Sequence, residues 1–387
     1  MSPASRVAGQ RLSPIRRMAV GAPSGTISLA LGEPGWPLPD VARRALAEVG
    51  QSAGPLPYGP NTSRPDLVQA IAAHHSCSSA DEVMVTSGSQ AALFALFQAH
   101  VDPGSTVLVP DPGFVSYPSL ARLCGADPVG YPLATGGHLD AQALVQTLEA
   151  HPQTSMVVLC HPANPTGGMA SETDLATVAD ACARRGVLLV SDEVYRELWV
   201  DERPPSLHDV AGVGGGVVLG SMSKAFGAPG LRLGWAVGAA EALAPARIVH
   251  NAMTTAPAQP SQAGAVALLT AADEVLTESR RHVRARWETV AQVASALTTS
   301  AGSPARPARA GIYLWVPVPD SSLTAADTAP DDPTLAFALR LRDEGGVTTV
   351  PGSAFGPRGA GHLRVSLGGA LDELEEGLRR LAPWWTT

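Results

Sequence analysis

Short apolar runs alternate with longer helix-patterned segments along most of this chain, and that alternation limits its fold more than any other feature. The pattern predicts strands at Glu82–Thr86, Thr106–Pro110, Pro128–Tyr131, Ser155–Cys160 and Val187–Ser191. Helices are predicted between them at Gln90–His100, Val115–Leu123, Asp140–Ala150 and Ser171–Arg185, and strands Val217–Gly220 and Trp235–Val237 follow. Strands that alternate with helices imply an α/β fold with a mostly parallel sheet covered on both faces. Polar loops stand directly after five of the strands, at Ser87–Gln90, Asp111–Phe114, His161–Gly168, Asp192–Tyr195 and Ser221–Lys224. Ligands of open α/β sheets bind beyond the carboxyl ends of the strands. These loops therefore converge on one rim.

The flanking regions read differently. Residues 1–40 are irregular and rich in Pro and Gly, and helices are predicted at Val41–Val49 and Asp66–His75, the latter behind Pro65. A long helix with an Arg-rich face is predicted at Asp273–Leu297, then a break over residues 298–334 that contains a strand-like alternation at Gly311–Pro317. A helix at Leu335–Glu344, strands at Val347–Val350 and His362–Leu367 and a closing helix at Leu371–Leu381 make this second region α+β. Its 387 residues allow two domains. We divide it into a large domain over residues 40–275 and a small domain over residues 1–39 plus 276–387.

A formal net charge of −8 disfavours nucleic acid as a partner. Cys77, Cys124, Cys160 and Cys182 are widely spaced, with no C-x-x-C, so neither a zinc cluster nor a disulfide framework is expected. No metal site is expected. Neither a signal peptide nor an apolar run long enough for a membrane span is evident. The expected location is the cytoplasm.

Lys224 stands in Ser221-Met222-Ser223-Lys224-Ala225-Phe226-Gly227, with Arg232 eight residues later. Its amine can form a Schiff base with an aldehyde. The neighbouring hydroxyls and the Arg232 guanidinium can hold a phosphate dianion. Pyridoxal phosphate carries both groups. Asp192, directly after an apolar strand, reads either as a helix cap or as a carboxylate for a ring nitrogen. Ser87-Gly88-Ser89-Gln90 precedes a helix, whose free amides suit a phosphate.

Over Leu29–Leu381 the chain resembles the class I/II aminotransferases, fold-type I pyridoxal-phosphate enzymes. The resemblance rests on these loops together with His161-Pro162-Ala163-Asn164-Pro165-Thr166-Gly167 and His362-Leu363-Arg364-Val365-Ser366. It implies a seven-stranded, mostly parallel sheet in a large α/β/α domain with a smaller α+β domain. Lys224 would be the Schiff-base lysine and proton carrier, and Asp192 the partner of the pyridine nitrogen. Asn164 and Tyr195 would meet the phenolic oxygen, and Phe114 would stack on the ring. Ser89, Gln90, Ser221, Ser223 and Arg232 would form the phosphate cup. Tyr58 would reach the phosphate of a neighbouring subunit, which makes a homodimer with shared sites. Arg364 would grip the substrate carboxylate, with Gly32 and Asn164 beside it. The family usually has Asn where this chain has His161.

The expected reaction moves an amino group from an L-amino acid to a 2-oxo acid by ping-pong chemistry. The alternative is a non-transaminating enzyme on the same cofactor, such as a cyclase, lyase, replacement enzyme or oxidase. A transcription regulator is disfavoured, because about 28 residues before Leu29 are too few for a helix-turn-helix module. Trp36, Tyr117 and Tyr313 suit an apolar substrate or the scaffold equally.

Overall fold

A computed structural model describes residues 4–8, 10, 15, 18–295, 297, 309–319 and 331–385. Strand β1 (Ile27–Ser28) is short. The strands β2 (Val83–Thr86), β3 (Thr106–Asp111), β4 (Asp127–Pro132), β5 (Thr154–Cys160), β6 (Leu188–Asp192), β7 (Val217–Ser221) and β8 (Gly234–Val237) build one sheet in the order β2-β8-β7-β6-β5-β3-β4. Only β8 runs antiparallel to its neighbours. The carboxyl ends of β2, β3, β5, β6 and β7 therefore share one rim, and each carries one of the five polar loops.

The sheet is buried on both faces because its strands are apolar at successive positions. Alternate residues serve opposite layers. Met156 and Val158 of β5 pack on one face with Leu93, Phe97 and Tyr117. Val157 and Leu159 pack on the other with Leu144, Leu175 and Val178. Local signals place the covering helices. Ser171 and Asp174 form a reciprocal capping box that starts helix Glu172–Arg185, and Gly186 ends it in the left-handed conformation.

The remaining strands are β9 (Tyr313–Pro317), β10 (Val347–Thr348), β11 (Val350–Pro351) and β12 (His362–Ser366). β12 lies between β11 and β9 in an antiparallel three-stranded sheet, and β10 pairs in parallel with β1. The single strand expected at Val347–Val350 is thus two, each with its own partner. The long helix spans Ala272–Val293. The alternation expected at Gly311–Pro317 is β9, whereas most of the break around it lies outside the described residues. Asp332 caps helix Pro333–Asp343 through the Leu335 amide. Two long helices, Ala240–Thr254 and Gln259–Thr270, and the short Leu207–Ala211 had not been anticipated. Pro245 stands inside the first, where proline normally breaks a helix, and small residues blur the apolar stripe of the second.

Candidate active site

A cavity of about 610 Å3 opens at the carboxyl rim of the large sheet. Every site residue expected from sequence lines it except Tyr58: Lys224, Asp192, Tyr195, Ser89, Gln90, Phe114, Asn164, Ser221, Ser223, Arg232, Arg364 and Gly32. Tyr58 is 93% exposed and away from this cavity. Trp36 also lies outside the lining and stacks on His282.

The loop after β7 is folded on itself by Gly227 N–H to Lys224 O and Ala228 N–H to Met222 O, so the Lys224 side chain leaves a short, fixed turn. Its Nζ donates to Gly32 O at 2.5 Å and lies 5.5 Å from the centre of the Tyr195 ring. Asp192 closes β6 and is 5% exposed. Tyr117 Oη donates to its Oδ2 at 2.7 Å, whereas its Oδ1 is buried without a hydrogen-bond partner. Burial pushes the Asp192 carboxyl up to about 6, against the opposing pull of the Tyr117 hydroxyl, the Val194 amide and Lys224.

Also at the cavity, helix Ser89–His100 begins after Gly88, whose φ of 91° favours glycine and which supplies no side-chain cap. The first amides of a helix have no intrahelical acceptor. Ser89 and Gln90, which carry the first of them, line the cavity with Ser221, Ser223 and Arg232. A Cβ at Gly88 would lie 2.9 Å from Arg232 Nη2, so glycine also lets that guanidinium approach. This part of the cavity combines cationic, hydroxyl and amide donors, which suits a dianion.

Arg364 sits in the middle of β12 and is 1% exposed. Its Nη1 donates to Asn164 Oδ1 at 2.8 Å and its Nη2 to Ala30 O, and its Nε is buried without a partner. The guanidinium carbon lies 4.4 Å from the Tyr313 ring centre and 4.8 Å from that of Phe355. Burial lowers its pKa. Tyr195 and Tyr313 share a hydroxyl–hydroxyl hydrogen bond of 2.9 Å. Phe114 meets Tyr117 edge to face, with ring centres 5.5 Å apart.

Sequence reasoning did not assign the contact of Tyr117 with Asp192 or that of Tyr313 with Tyr195. Tyr117 stands in the first turn of the helix that follows Phe114, close enough in sequence to have been considered with it. Tyr313 alternates along β9, but nothing in the strand pattern names its partner.

The donor set fits pyridoxal phosphate: an amine, a buried carboxylate with an open oxygen, and a set of hydroxyl, amide and guanidinium donors for a dianion. The family described as Aminotransferase class I and II matches residues 24–381. The chain belongs to the class I and II aminotransferases. It is 31% identical to the arginine–pyruvate transaminase AruH of Pseudomonas aeruginosa over 361 residues, covering 92% of this chain and 88% of that protein. An LL-diaminopimelate aminotransferase of Desulforudis audaxviator is 30% identical, with 92% and 89% covered. Among solved structures, a Thermus thermophilus aspartate aminotransferase single mutant superposes with a TM-score of 0.86 at 28% identity, over 99% of this chain and all of that one. The N-succinyldiaminopimelate aminotransferase of Mycobacterium tuberculosis gives 0.87 at 27%, over 99% and 100%. The aminotransferase thus has the aspartate aminotransferase-like fold and moves an amino group between an amino acid and a 2-oxo acid. These comparisons do not favour the non-transaminating alternative. No helix among the described residues is long and apolar enough to cross a membrane.

Proposed function

We propose that this aminotransferase works on pyridoxal phosphate held at the rim cavity, with Lys224 as the covalent anchor and proton carrier. The observation that carries the proposal is the gathering of the Lys224 amine, the open Asp192 Oδ1 and the Arg364 guanidinium around one cavity. When bound, the cofactor supplies an electron sink for the bond broken at the substrate's α-carbon. The protein does the rest. Asp192 Oδ1 would accept a hydrogen bond from a protonated ring nitrogen, and Tyr117 fixes the carboxylate through its other oxygen. Ser89, Gln90, Ser221, Ser223 and Arg232 hold the phosphate, and Phe114 covers the ring.

Asn164 and Tyr195 present polar side chains to the phenolic oxygen. Arg364 receives the substrate carboxylate, exchanging neutral acceptors for a charged one, which strengthens its hydrogen bonds. The Lys224 Nζ, when not bonded to the cofactor, would be the base that removes the proton from the substrate α-carbon. The reaction runs as two half-reactions in ping-pong order.

Tyr58 completes the proposal. It is exposed on its own chain, with Leu56, Ile248 and Met253 also exposed. We assign it to the phosphate of a second copy, so that the working unit is a homodimer with shared sites. We further infer a large domain over residues 40–275, supported by the confinement of the seven-stranded sheet to residues 83–237. Residues 1–39 plus 276–387 would form the small domain. A cytoplasmic location accompanies this reading, supported by four free cysteines.

Loading with pyridoxal phosphate, borohydride reduction and peptide mapping test the anchor. The expected result is a label on Lys224, and a colourless protein with that lysine unlabelled sinks the proposal. Incubation with amino donors and 2-oxoglutarate then tests the half-reaction through the pyridoxamine absorbance. Sedimentation in solution should show a dimer.

A further inference from the structure

We propose that His250 is a positioning residue for the anion-binding loop: as a neutral acceptor it pins the Ser87 amide, and with it the turn that opens helix Ser89–His100. The inference rests on the cofactor reading above and extends it to a helix outside the motif loops.

The direction of this hydrogen bond is fixed by its chemistry. A backbone N–H can only donate, and an imidazole nitrogen that receives it must be unprotonated. Ser87 N–H donates to His250 Nε2 at 3.3 Å. The ring is therefore neutral and carries its proton on Nδ1. His250 is 3% exposed, and burial lowers its pKa, which favours that form. Strand β2 lies at the edge of the sheet, is paired with β8 alone, and its ladder ends at Thr86. Ser87 has thus left the sheet. Among the described residues its amide finds its acceptor on helix Ala240–Thr254, 163 positions away.

Two further bonds shape the turn from within: Gly88 N–H to Thr86 O at 2.8 Å and Thr86 Oγ1 to Gly88 O at 2.9 Å. The His250 contact ties that turn to a separate element. The same helix holds the start of the strand as well. Arg247, three residues before His250, donates through Nη2 to Val83 O at 2.9 Å and to Asp81 O at 2.6 Å. A spacing of three puts both side chains on one helix face. Val83 opens β2 and Ser87 follows its last residue, so the helix brackets the strand at both ends. Ser89 and Gln90, which line the cavity, stand two and three residues beyond the pinned amide. Amides at a helix start converge on an anion only when that start is in place, and a loop ordered beforehand binds more tightly than one ordered on binding.

The test compares wild type with His250→Leu, which keeps bulk and removes the acceptor, and His250→Gln, whose amide oxygen reaches where Nε2 stands. Each is loaded with pyridoxal phosphate and, separately, with pyridoxal, and both affinities are read from visible absorbance. His250→Leu should weaken pyridoxal phosphate binding by about fivefold to thirtyfold, as for a buried amide left without its acceptor. Its affinity for pyridoxal should stay near wild type, since that molecule offers the loop no phosphate. His250→Gln should restore the binding of pyridoxal phosphate. Should His250→Leu fail to fold, His250→Asn, whose amide is one methylene too short, carries the same expectation. An unchanged affinity for pyridoxal phosphate in His250→Leu, an equal loss for both aldehydes, or a His250→Gln as weak as His250→Leu overturns the proposal. A wild type that takes up no colour removes the cofactor reading and this inference together. A coloured wild type with an unmoved His250→Leu removes only the inference.

Discussion

The two walls of the cavity are built on opposite principles. The wall formed by the loops after β6 and β7 and by the start of helix Ser89–His100 leaves Asp192 Oδ1 open and Arg232 exposed, the latter tied through Nη1 to the Pro229 carbonyl. The wall formed by β9, β12 and the Ala30–Gly32 segment keeps most of its groups paired, Arg364 Nε excepted. Arg364 is held by Asn164 and Ala30, Tyr313 by Tyr195, and the Gly32 carbonyl by Lys224. A group that stays through every turnover can rely on an open wall. A substrate that comes and goes needs a wall whose buried donors keep neutral acceptors between visits, because buried polar groups left unsatisfied are costly. The difference separates a site for a resident ligand from a site for a transient one.

Lys224 touches both walls, so its loss should have the largest effect. Lys224→Ala should lower kcat by at least ~10,000-fold, as expected when covalent anchoring and proton transfer are both removed. Borohydride labelling at that position should vanish as well. Residual activity within about tenfold of wild type would show that the lysine serves neither wall.

The two arginines then test the division directly. Arg364→Leu should lower kcat/KM for the amino donor by about 100- to 1,000-fold, the loss expected when one partner of a buried charge pair is truncated. Its affinity for pyridoxal phosphate, read from absorbance on loading, should stay close to wild type. Arg232→Leu should do the reverse. Retention of the cofactor should weaken by about 10- to 100-fold, from the loss of one charge-assisted contact worth about 1.5–3 kcal/mol. At saturating cofactor its kcat/KM should recover to within several-fold. If both variants lose cofactor and substrate together, the walls are not separate.

The open wall was legible in the sequence and the paired wall was not, for a physical reason. Lys224, Asp192 and Asn164 follow buried strands immediately, so the chain order itself puts them on one rim. Ser89 and Gln90 begin a helix whose start is marked by Gly88. The paired wall depends on contacts between distant residues: Lys224 with Gly32 across 192 positions, Arg364 with Asn164 across 200, Tyr195 with Tyr313 across 118. No periodicity links such pairs. Arg364 was recognised through the resemblance, and the apolar residues on either side of it were a sound hint, since Leu363 and Val365 are fully buried. Tyr313 looked as much like scaffold as like site. Helices Ala240–Thr254 and Gln259–Thr270 escaped notice because Pro245 and runs of small residues hide their period. Even so, the first helps to set the open wall: its His250 Nε2 accepts from the Ser87 amide at 3.3 Å.

The smallest predicted effect concerns the support beneath the open wall. Glu193, next to Asp192, accepts from Ser191 Oγ at 3.0 Å and the Leu207 amide at 2.8 Å, and lies 3.6 Å from His161 Nε2. Burial alone would push this carboxyl up. The His161 ring beside it, with the Leu207 amide and Ser206, outweighs it and brings Glu193 down to about 2. The sign follows from proton counts. A depressed acid gives stability that is fully present above its unfolded value of 4.5 and is lost as pH falls toward its folded value. The contribution of Glu193 should therefore shrink by about 1–2 kcal/mol between about pH 5 and pH 3. Glu193→Gln removes the titrating group and keeps one acceptor. Its thermal midpoint should lie below that of wild type at neutral pH, and the gap should close on acidification. A gap constant across that window would mean that the carboxylate charge does not brace the loop that carries Asp192. The open wall would then rest on the Tyr117 contact and the backbone alone.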